Sequence, residues 1–373
     1  MSSLLPVLPR IASSSTPRAS TTVKRTILLR NQLIQPRTMS TSIPKTMKAI
    51  QIKKNGGVEV LEYVDIPTPT PGEGQVLIKN EIIGINYIDT YFRSGLYPAP
   101  KLPLTLGREG AGDIVAVGSG TIPSSLKEGV RAVYLGTEAY AEYTAAPAFH
   151  TFALPKGISN EIGAASLLQG LTALTLIRDA HHVKKGDWVL VHAAAGGMGL
   201  WLCQLLKAVG AHTIGTASTA EKREIAKKAG AEVVLEYPET MGNDAFVSKV
   251  KELTNGKGVP AIFDGVGKAT FDIDLECVAL KGSVISFGNA SGAVPPLTIA
   301  RLSAKNVRLM RPTLFGFIST REEFEGYTKE LFEMVEKSHI DVAVHKTYAL
   351  KDVADAHNDL EGRKTTGKLL LRP

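Results

Sequence analysis

A run of small residues, AAAGGMG at positions 193–199, has the residue types and spacing needed to bind a phosphate group. Backbone N–H groups of small residues can approach a pyrophosphate closely, and the dipole of a following helix favours negative charge. The fingerprint G-x-G-x-x-G of dinucleotide-binding folds is present in this run as Ala194-x-Gly196-x-x-Gly199. The residues predicted to hold the cofactor phosphates are Gly196, Gly197, Met198 and Gly199.

The segments on either side of this run indicate how it is positioned. Trp188 to Val191 is a short apolar run, typical of a buried parallel strand. From Leu200 onward, apolar residues recur at helical spacing. A strand, a glycine turn and a helix in this order predict the first unit of a dinucleotide-binding βαβ fold. The alternative is an ordinary tight turn between a strand and a helix.

The residues that follow the second predicted strand indicate which dinucleotide binds. NAD-specific folds place an acidic residue there, roughly 20 residues past the glycines, to bind the ribose 2′-hydroxyl. This chain has GTAS at positions 215–218, without an acid, and Lys222 lies one helical turn further on. A 2′-phosphate requires hydrogen-bond donors and positive charge, so the sequence favours NADPH over NADH. The alternative for Lys222 is a solvated position on a helix face.

Two kinds of pattern divide the rest of the chain. Strand-like segments separated by Pro and Gly run from Met47 to about Pro155 and predict an antiparallel β domain. Beyond that point strands alternate with helices, which predicts a doubly wound parallel sheet. Ser159 is predicted to cap a helix that carries Leu168, and a second helix is predicted over Leu171 to Ala180. The predicted strands of the parallel sheet are Trp188–Val191, His212–Thr216, Val233–Glu236, Val259–Phe263 and Ser283–Phe287.

Composition narrows the classes of function. The net charge of +7 arises in residues 1–46, which hold seven basic residues and no acid, and the remainder carries 36 basic and 36 acidic residues. A neutral body gives no electrostatic argument for nucleic acid as the main partner. Cys203 and Cys277 are the two cysteines of the sequence and form no C-x-x-C motif, which argues against a zinc ribbon and a disulfide framework.

Residues 1–46 are rich in Ser, Thr and Arg, and this composition predicts a mitochondrial transit peptide with the matrix as destination. The alternative is a disordered tail. Translation from Met39 or Met47 would give a cytoplasmic form. No apolar run in the sequence approaches the roughly 18 residues of a membrane span.

The stretch from Gly186 to Lys207 resembles the signature of the quinone oxidoreductase/zeta-crystallin family, within the medium-chain dehydrogenase/reductase superfamily. The positions that match this signature are Gly186, Asp187, Leu190, Ala194, Ala195, Gly196, Gly197, Gly199, Gln204 and Lys207. The resemblance continues in NYIDTYFRSGLYP (86–98), LGREGAG (106–112), SFGNASG (286–292) and RPTLFGFISTREE (311–323).

This resemblance implies an α/β fold with two domains. A doubly wound Rossmann domain that binds NADPH is expected over residues 171–310, and a GroES-like, β-rich catalytic domain over residues 47–170 and 311–373. Family members also imply a homodimer, expected here to pair the edge strands Ser283–Phe287.

The resemblance also implies site residues. Asn86 and Tyr91 are expected beside the nicotinamide, and Tyr97 is expected to line the acceptor pocket, with a packing role as its alternative. The further cofactor contacts implied are Thr172, Ser218, Lys222, Tyr237, Ser286, Phe287, Asn289 and Lys368.

The resemblance bears on metal binding as well. Zinc alcohol dehydrogenases of the superfamily carry a cysteine where this chain has Asn86, and Gly-His-Glu where it has Gly107-Arg108-Glu109. The four-cysteine structural lobe of those enzymes is absent too, so both the catalytic and the structural zinc ligands are lost and no metal is predicted. His181 and His182 are adjacent and do not share a helix face, while His192 is interpreted as a hydrogen-bonded core residue.

The predicted function is an NADPH-dependent, metal-independent quinone reductase. The resemblance implies that the quinone could be reduced in one-electron steps, as family members do with ortho-quinones. Quinones are electron-poor and need little acid catalysis, which fits a chain without an evident nucleophile or acid–base pair. A reductase of α,β-unsaturated carbonyls is the closest alternative. An AU-rich RNA-binding or structural crystallin-like protein is the alternative from another class.

Overall fold

The computed structural model of this protein describes residues 42–99, 101–337 and 339–373. The predicted transit peptide, apart from residues 42–46, lies outside the described residues and remains a prediction, as does a start at Met39. The strands are β1 (Thr46–Ile52), β2 (Glu62–Pro67), β3 (Gln75–Ile85), β4 (Leu104–Thr105), β5 (Glu109–Val117), β6 (Arg131–Leu135), β7 (Tyr143–Pro147), β8 (Thr151–Ala153), β9 (Trp188–Val191), β10 (His212–Thr216), β11 (Val233–Leu235), β12 (Val259–Asp264), β13 (Val278–Ser286), β14 (Arg308–Met310), β15 (Val344–Ala349) and β16 (Lys368–Arg372).

One helix lies among the first eight strands, and the other named helices follow β8 along the chain. They are α1 (Tyr87–Ser94), α2 (Asn160–Thr175), α3 (Gly197–Val209), α4 (Ala220–Lys228), α5 (Pro238–Met241), α6 (Asn243–Leu253), α7 (Phe271–Cys277), α8 (Leu314–Phe317), α9 (Arg321–Glu336) and α10 (Val353–Glu361). Within the described ranges, no helix is both long and apolar enough to cross a membrane.

Strands β9 to β14 form a six-stranded parallel sheet in the order β11-β10-β9-β12-β13-β14. Counted from β9, this order is 3-2-1-4-5-6, which is the order of a doubly wound dinucleotide-binding sheet. The predicted parallel sheet is therefore confirmed. The order reverses between β9 and β12, and at this point the carboxyl ends of the strands leave a crevice.

The outer strand of this sheet corrects one prediction. The segment Ser283–Phe287 was expected to form the edge, but Ser283–Ser286 belongs to β13, which pairs with β12 on one side and with β14 on the other. The backbone groups of β13 form hydrogen bonds with both neighbouring strands, so β13 is not an edge strand. Strand β14, a segment without a strand prediction, is the edge instead.

The rest of the described chain is rich in antiparallel β structure. One sheet has the order β15-β16-β3-β5-β6-β8, with β7 also paired to β3, and a smaller one has the order β2-β1-β4. The C-terminal strand β16 lies between β15 and β3, so the chain returns to this part after the parallel sheet. The glycine-rich strand β5 packs closely against β3: a Cβ at Gly112 would lie 1.9 Å from the carbonyl oxygen of Lys79.

Helix α2 differs from its prediction in length. Ser159 caps it as expected, since its hydroxyl accepts a hydrogen bond from the backbone N–H of Ile162 at 3.1 Å. The two predicted helices are wrong, because one helix continues to Thr175 and then widens into a π turn over Leu176–Ala180. Gly170 is a packing position and not a break, as a Cβ there would lie 2.6 Å from the side chain of Leu331.

Helix α1 was not predicted, and a buried polar chain fixes it. Arg93 forms two hydrogen bonds to Glu361 in α10 and a third, at 3.0 Å, to Nδ1 of His357. Since Arg93 can only donate, Nδ1 accepts and Nε2 carries the proton toward Tyr140, 3.2 Å away. The Tyr140 hydroxyl donates to Asp89 of α1 at 2.8 Å. Burial and the charge of Arg93 lower the pKa of His357 to about 3, which keeps this ring neutral.

Candidate functional site

A cavity of about 670 Å³ lies at the carboxyl ends of β9, β10 and β12, where the order of the parallel sheet reverses. Residues that follow these strands line one side of the cavity. The other side is lined by α1 and by residues 311–315. Ligands of open α/β sheets bind in this crevice. The cavity is therefore the candidate active site.

The glycine run forms the sharp turn between β9 and α3. Gly196 immediately precedes α3, and a Cβ at Gly199 would lie only 2.3 Å from the carbonyl oxygen of Ala193, so this turn closes only with glycine. A Cβ at Gly197 would meet the movable side-chain amide of Gln169 at 2.5 Å. All four residues predicted at the phosphates line the cavity: Gly196, Gly197, Met198 and Gly199. The N-terminus of a 13-residue helix faces the same space, which favours an anion there.

One end of the cavity is a cationic corner, formed by Ser218, Lys222, Tyr237 and Arg363. The Lys222 ammonium donates to the carbonyl oxygen of Arg363 at 2.5 Å. Burial, and then the positive charge of Arg363, lowers the pKa of Lys222. A bound anion would relieve both effects. The one carboxylate near this corner, among the described residues that line the cavity, is Glu239, whose oxygen lies 3.7 Å from the Arg363 guanidinium.

Arg363 is a residue that sequence reasoning missed. It lies 141 residues from Lys222 and outside every motif of the sequence. Its backbone has a positive φ of 54°, in the short segment between α10 and β16. The signal that was available is the basic tripeptide GRK at 362–364, but only the tertiary fold brings it to the second strand of the parallel sheet.

A buried polar cluster lies behind the middle of the cavity. The Lys368 ammonium donates to Glu109 at 2.5 Å and to the side-chain oxygen of Asn86 at 2.7 Å. The Asn86 amide donates to the same carboxylate at 2.7 Å, and the backbone N–H of Leu168 donates to its other oxygen at 2.8 Å. These bonds fix the Asn86 side chain, which lines the cavity. Lys368 is almost fully buried and does not line it.

The other end of the cavity is lined by three rings of α1 and the loop after it, Tyr91, Phe92 and Tyr97, which we call the aromatic wall. The ring centroids of Tyr91 and Tyr97 are 5.2 Å apart, and those of Phe92 and Tyr97 are 5.8 Å apart. The Tyr97 oxygen accepts a hydrogen bond from Arg311 at 2.9 Å. The Tyr91 oxygen accepts one from the backbone N–H of Asn289 at 2.8 Å, and burial raises its pKa well above the usual range.

The structure brings most of the predicted site residues together. Besides the glycine run, the predicted residues that line the cavity are Asn86, Tyr91, Tyr97, Thr172, Ser218, Lys222, Tyr237 and Phe287. Three predicted cofactor contacts, Ser286, Asn289 and Lys368, lie outside this lining. Ser286 is bonded by Arg311 through its carbonyl at 3.0 Å and its hydroxyl at 3.2 Å. Direct cofactor contact by these three residues remains a prediction.

His192 is the hydrogen-bonded core residue that its position indicated. Its ring lies 2.8 Å from the carboxylate of Asp274 and 3.1 Å from the hydroxyl of Thr216. Burial raises the pKa of Asp274 to about 7. Burial alone would lower the pKa of His192, but the charge and the hydrogen bond of Asp274 raise it above its usual value. Both nitrogens of the ring are occupied, although the ring also borders the cavity.

Residues 42–99, 101–337 and 339–373 contain no group of three or more His, Cys, Asp and Glu side chains placed to hold a metal ion. At the positions compared above with zinc ligands, Asn86 is bound to Glu109 and Lys368, and Arg108 lies over the ring of Phe92. The metal-free chemistry expected from the sequence remains a prediction.

Known proteins share this fold and much of this sequence. The chain matches two families, Zinc-binding dehydrogenase over residues 197–333 and Alcohol dehydrogenase GroES-like domain over residues 72–156. It is 44% identical to a probable quinone oxidoreductase of Schizosaccharomyces pombe over 86% of this chain and 96% of that protein. It is 35% identical to a 2-haloacrylate reductase of a Burkholderia species over 87% of this chain and 98% of that protein. The structure of Escherichia coli quinone oxidoreductase complexed with NADPH has a TM-score of 0.84 and 43% identity, covering 87% of this chain and 100% of that one.

The buried cluster generates a prediction about stability. Lys368→Met removes one partner and leaves the Glu109 carboxylate buried without its cation, so the free energy of unfolding should fall by about 3–5 kcal/mol. Urea unfolding followed by circular dichroism measures this change. The matched control is Lys53→Met, which breaks the exposed pair with Glu62 and should change the midpoint little. Equal effects of the two substitutions would show that the buried pair does not carry this energy.

Proposed function

The chain belongs to the quinone oxidoreductase family of the zinc-binding dehydrogenase superfamily, and from this membership we propose that it reduces quinones with NADPH as the electron donor. The observation that supports the proposal is the division of the cavity into two ends. One end combines the glycine run with the cationic corner, and the other combines the aromatic wall with hydrogen-bond donors. The first suits a phosphorylated dinucleotide, and the second suits a flat, electron-poor ring.

The residues present fit NADPH. The glycine run at the N-terminus of α3 would receive the pyrophosphate, and Lys222 and Arg363 would receive the 2′-phosphate, with hydroxyls of Ser218 and Tyr237 beside them. Asn86, fixed by the buried cluster, would hold the nicotinamide end. When bound, NADPH supplies the hydride.

The acceptor would be held by the aromatic wall. The Tyr97 oxygen already accepts a hydrogen bond from Arg311, so its own proton is free to be donated into the cavity. A donor in this position stabilises the negative charge that develops on a quinone oxygen during reduction. An acceptor that is already electron-poor needs no stronger acid than this hydroxyl.

The test is a substrate panel with the full-length protein, purified in the presence of a chelator. NADPH or NADH would be offered with phenanthrenequinone, a para-quinone and an enal, and oxidation of the nicotinamide would be followed by absorbance. We expect rapid turnover of quinones with NADPH and slow turnover with NADH. Binding of NADPH without turnover of any quinone would reject the proposal.

Reduction of a conjugated carbon–carbon double bond is the second candidate. The 35% identity to a 2-haloacrylate reductase, which covers 98% of that protein, supports it. The same panel separates the two functions, because turnover of the enal without turnover of quinones would favour this candidate.

Cofactor choice is tested at the cationic corner. Lys222→Ala removes a charged contact to the 2′-phosphate, so the Kd for NADPH should rise by roughly 10- to 150-fold, the equivalent of about 1.5–3 kcal/mol, while the Kd for NADH stays nearly unchanged. Titration of the intrinsic fluorescence measures both constants. The matched control is Lys227→Ala on the same helix, whose ammonium is paired with Glu224 at the surface. Equal loss of affinity for both dinucleotides would contradict the assignment of Lys222 as a 2′-phosphate contact.

We also propose that two copies of the chain pair through the edge strand β14. Among residues 42–99, 101–337 and 339–373, this strand pairs with β13 on one side and with no strand on the other, and its residues are exposed. Leu280 in β13 and Ile299 in the segment between β13 and β14, which are 65% and 77% exposed, add apolar surface near this edge. An unpaired strand with apolar side chains is a template for a second strand.

Light scattering after gel filtration tests the pairing. The full-length protein should have the mass of a dimer, and Leu309→Asp should shift it toward one subunit because the charge would be buried in the interface. Tyr63→Asp, an exposed aromatic of β2, is the control and should remain a dimer. A mass of one subunit for the unaltered protein would contradict the proposal.

A further inference from the structure

Arg108 lines the cavity and has no charged partner within the described part of the chain. It lies immediately before β5 and lines the cavity beside the aromatic wall, with its guanidinium 4.2 Å from the centroid of the Phe92 ring. Among the described residues, it forms neither an ion pair nor a hydrogen bond through its side chain. Arg108 is partly buried, and this burial lowers its pKa. A partly buried charge without an ionic partner among the described residues is stabilised when an anionic group binds beside it.

The nearby acids are already engaged. Glu109 is the next residue, but successive side chains of an extended strand point to opposite faces, and Glu109 points into the buried cluster with Lys368. Asp89 is the acid whose field reaches Arg108, yet it lies beyond the 4 Å of an ion pair. Its carboxylate oxygen is bound by the hydroxyl of Tyr140 and the backbone N–H of Asn86, both at 2.8 Å. Glu109 is therefore held inside its cluster. Asp89 keeps one oxygen without a hydrogen-bond partner among the described residues, but this carboxylate is buried and forms no ion pair with Arg108.

The other cations of the cavity differ from Arg108 in this respect. Within the described residues, four cationic Lys and Arg side chains line it: Arg108, Lys222, Arg311 and Arg363. Lys222 is bonded to a backbone carbonyl, and Arg363 lies near Glu239. Arg311 donates to the carbonyls of Ser286 and Gly288 and to Tyr97. Lys222 and Arg363 also belong to the cofactor end, whereas Arg108 belongs to the acceptor end.

We propose that Arg108 binds an oxygen anion of the acceptor. This inference rests on the proposed function and concerns a residue of the LGREGAG segment (106–112) to which the resemblance assigns no site role. The acceptor lies along the aromatic wall, with Tyr97 at one of its oxygens and the guanidinium of Arg108 at another oxygen or at an anionic substituent. A planar guanidinium offers two parallel N–H groups, which suits two adjacent oxygens or a sulfonate or carboxylate group.

The chemistry of reduction explains why a permanent charge serves here. When a quinone accepts a hydride, two electrons and one hydrogen enter it, and one of its oxygens becomes an anion until it takes a proton from solvent. Arg108 does not release a proton, so it stabilises this anion without acting as the acid. The charge–oxygen contact is strongest in the transition state, and its loss therefore lowers kcat/KM.

The experiment compares Arg108→Gln, Arg108→Lys and the unaltered full-length protein. The acceptors are ortho-naphthoquinone and its sulfonate-bearing derivative, with saturating NADPH. Arg108→Gln should lower kcat/KM by roughly 10- to 100-fold, as expected for one charge-assisted hydrogen bond, and Arg108→Lys should recover part of the loss. Arg301→Gln, which removes an exposed arginine paired with Asp272, is the control and should leave kcat/KM unchanged.

A second readout does not depend on turnover. The affinity of the sulfonated quinone is measured calorimetrically with protein saturated with NADP⁺, where no electrons are available. Arg108→Gln should weaken this binding, while its Kd for NADPH stays within about twofold of the unaltered protein.

The outcomes separate the sources of the anion and the two proposals. A loss confined to the sulfonated quinone assigns Arg108 to an anionic substituent, and an equal loss for both quinones assigns it to the oxygen that is reduced. Unchanged kcat/KM and unchanged binding in Arg108→Gln overturn the inference, as does a loss that is explained by weaker NADPH binding. If the unaltered protein reduces neither quinone, the proposed function fails instead, and the calorimetric arm still decides whether Arg108 binds the anion.

Discussion

The architecture of the site depends on one buried carboxylate. Glu109 receives hydrogen bonds from Lys368 in β16, from the Asn86 amide that precedes α1, and from the backbone of Leu168 in α2. These groups come from three remote parts of the sequence, and each would be costly to bury alone. Because they satisfy one another, the C-terminal strand, the helix that carries the aromatic wall and the helix that packs against α3 are held at fixed positions around the cavity.

The parallel sheet could be predicted from local sequence patterns, because the signals for its strands, turns and helices each lie within a short segment of the chain. The glycine run, the apolar strands and the 3.6-residue periodicity all act within about 30 residues, and strand boundaries such as those of β9 and β10 coincide with the prediction. The role of Gly199 follows from the same locality, since its close neighbour is Ala193. The site residues around Asn86 and Tyr97 came instead from a resemblance, and the cavity lining includes them.

The features that were not predicted depend on contacts distant in sequence. Helix α1 is an exception in part, because the capping box of Asn86 and Asp89 that begins it is a local signal. Its position is nevertheless fixed by Arg93 and its partners in α10, more than 260 residues away. Arg363 lies in the cationic corner because the segment that carries it leads into β16, which pairs with β3 of the antiparallel sheet. The error at α2 has the same origin, because Gly170 resembles a helix break in sequence, whereas in the structure it admits the side chain of Leu331.

The cationic groups of the cavity show how one fold assigns different tasks to the same charge. Arg311 donates hydrogen bonds to backbone carbonyls at the end of β13 and in the loop after it, and also to the Tyr97 oxygen. It therefore holds that loop and orients Tyr97. Arg108 makes no such bonds within the part of the chain that the structure describes, and its guanidinium lies over an aromatic face that can stabilise a cation only partly. By resemblance, zinc alcohol dehydrogenases carry a histidine at the position of Arg108. A site that places a permanent side-chain charge on this wall has an electrostatic contact ready before the acceptor enters, and needs no reorganisation of solvent to form it.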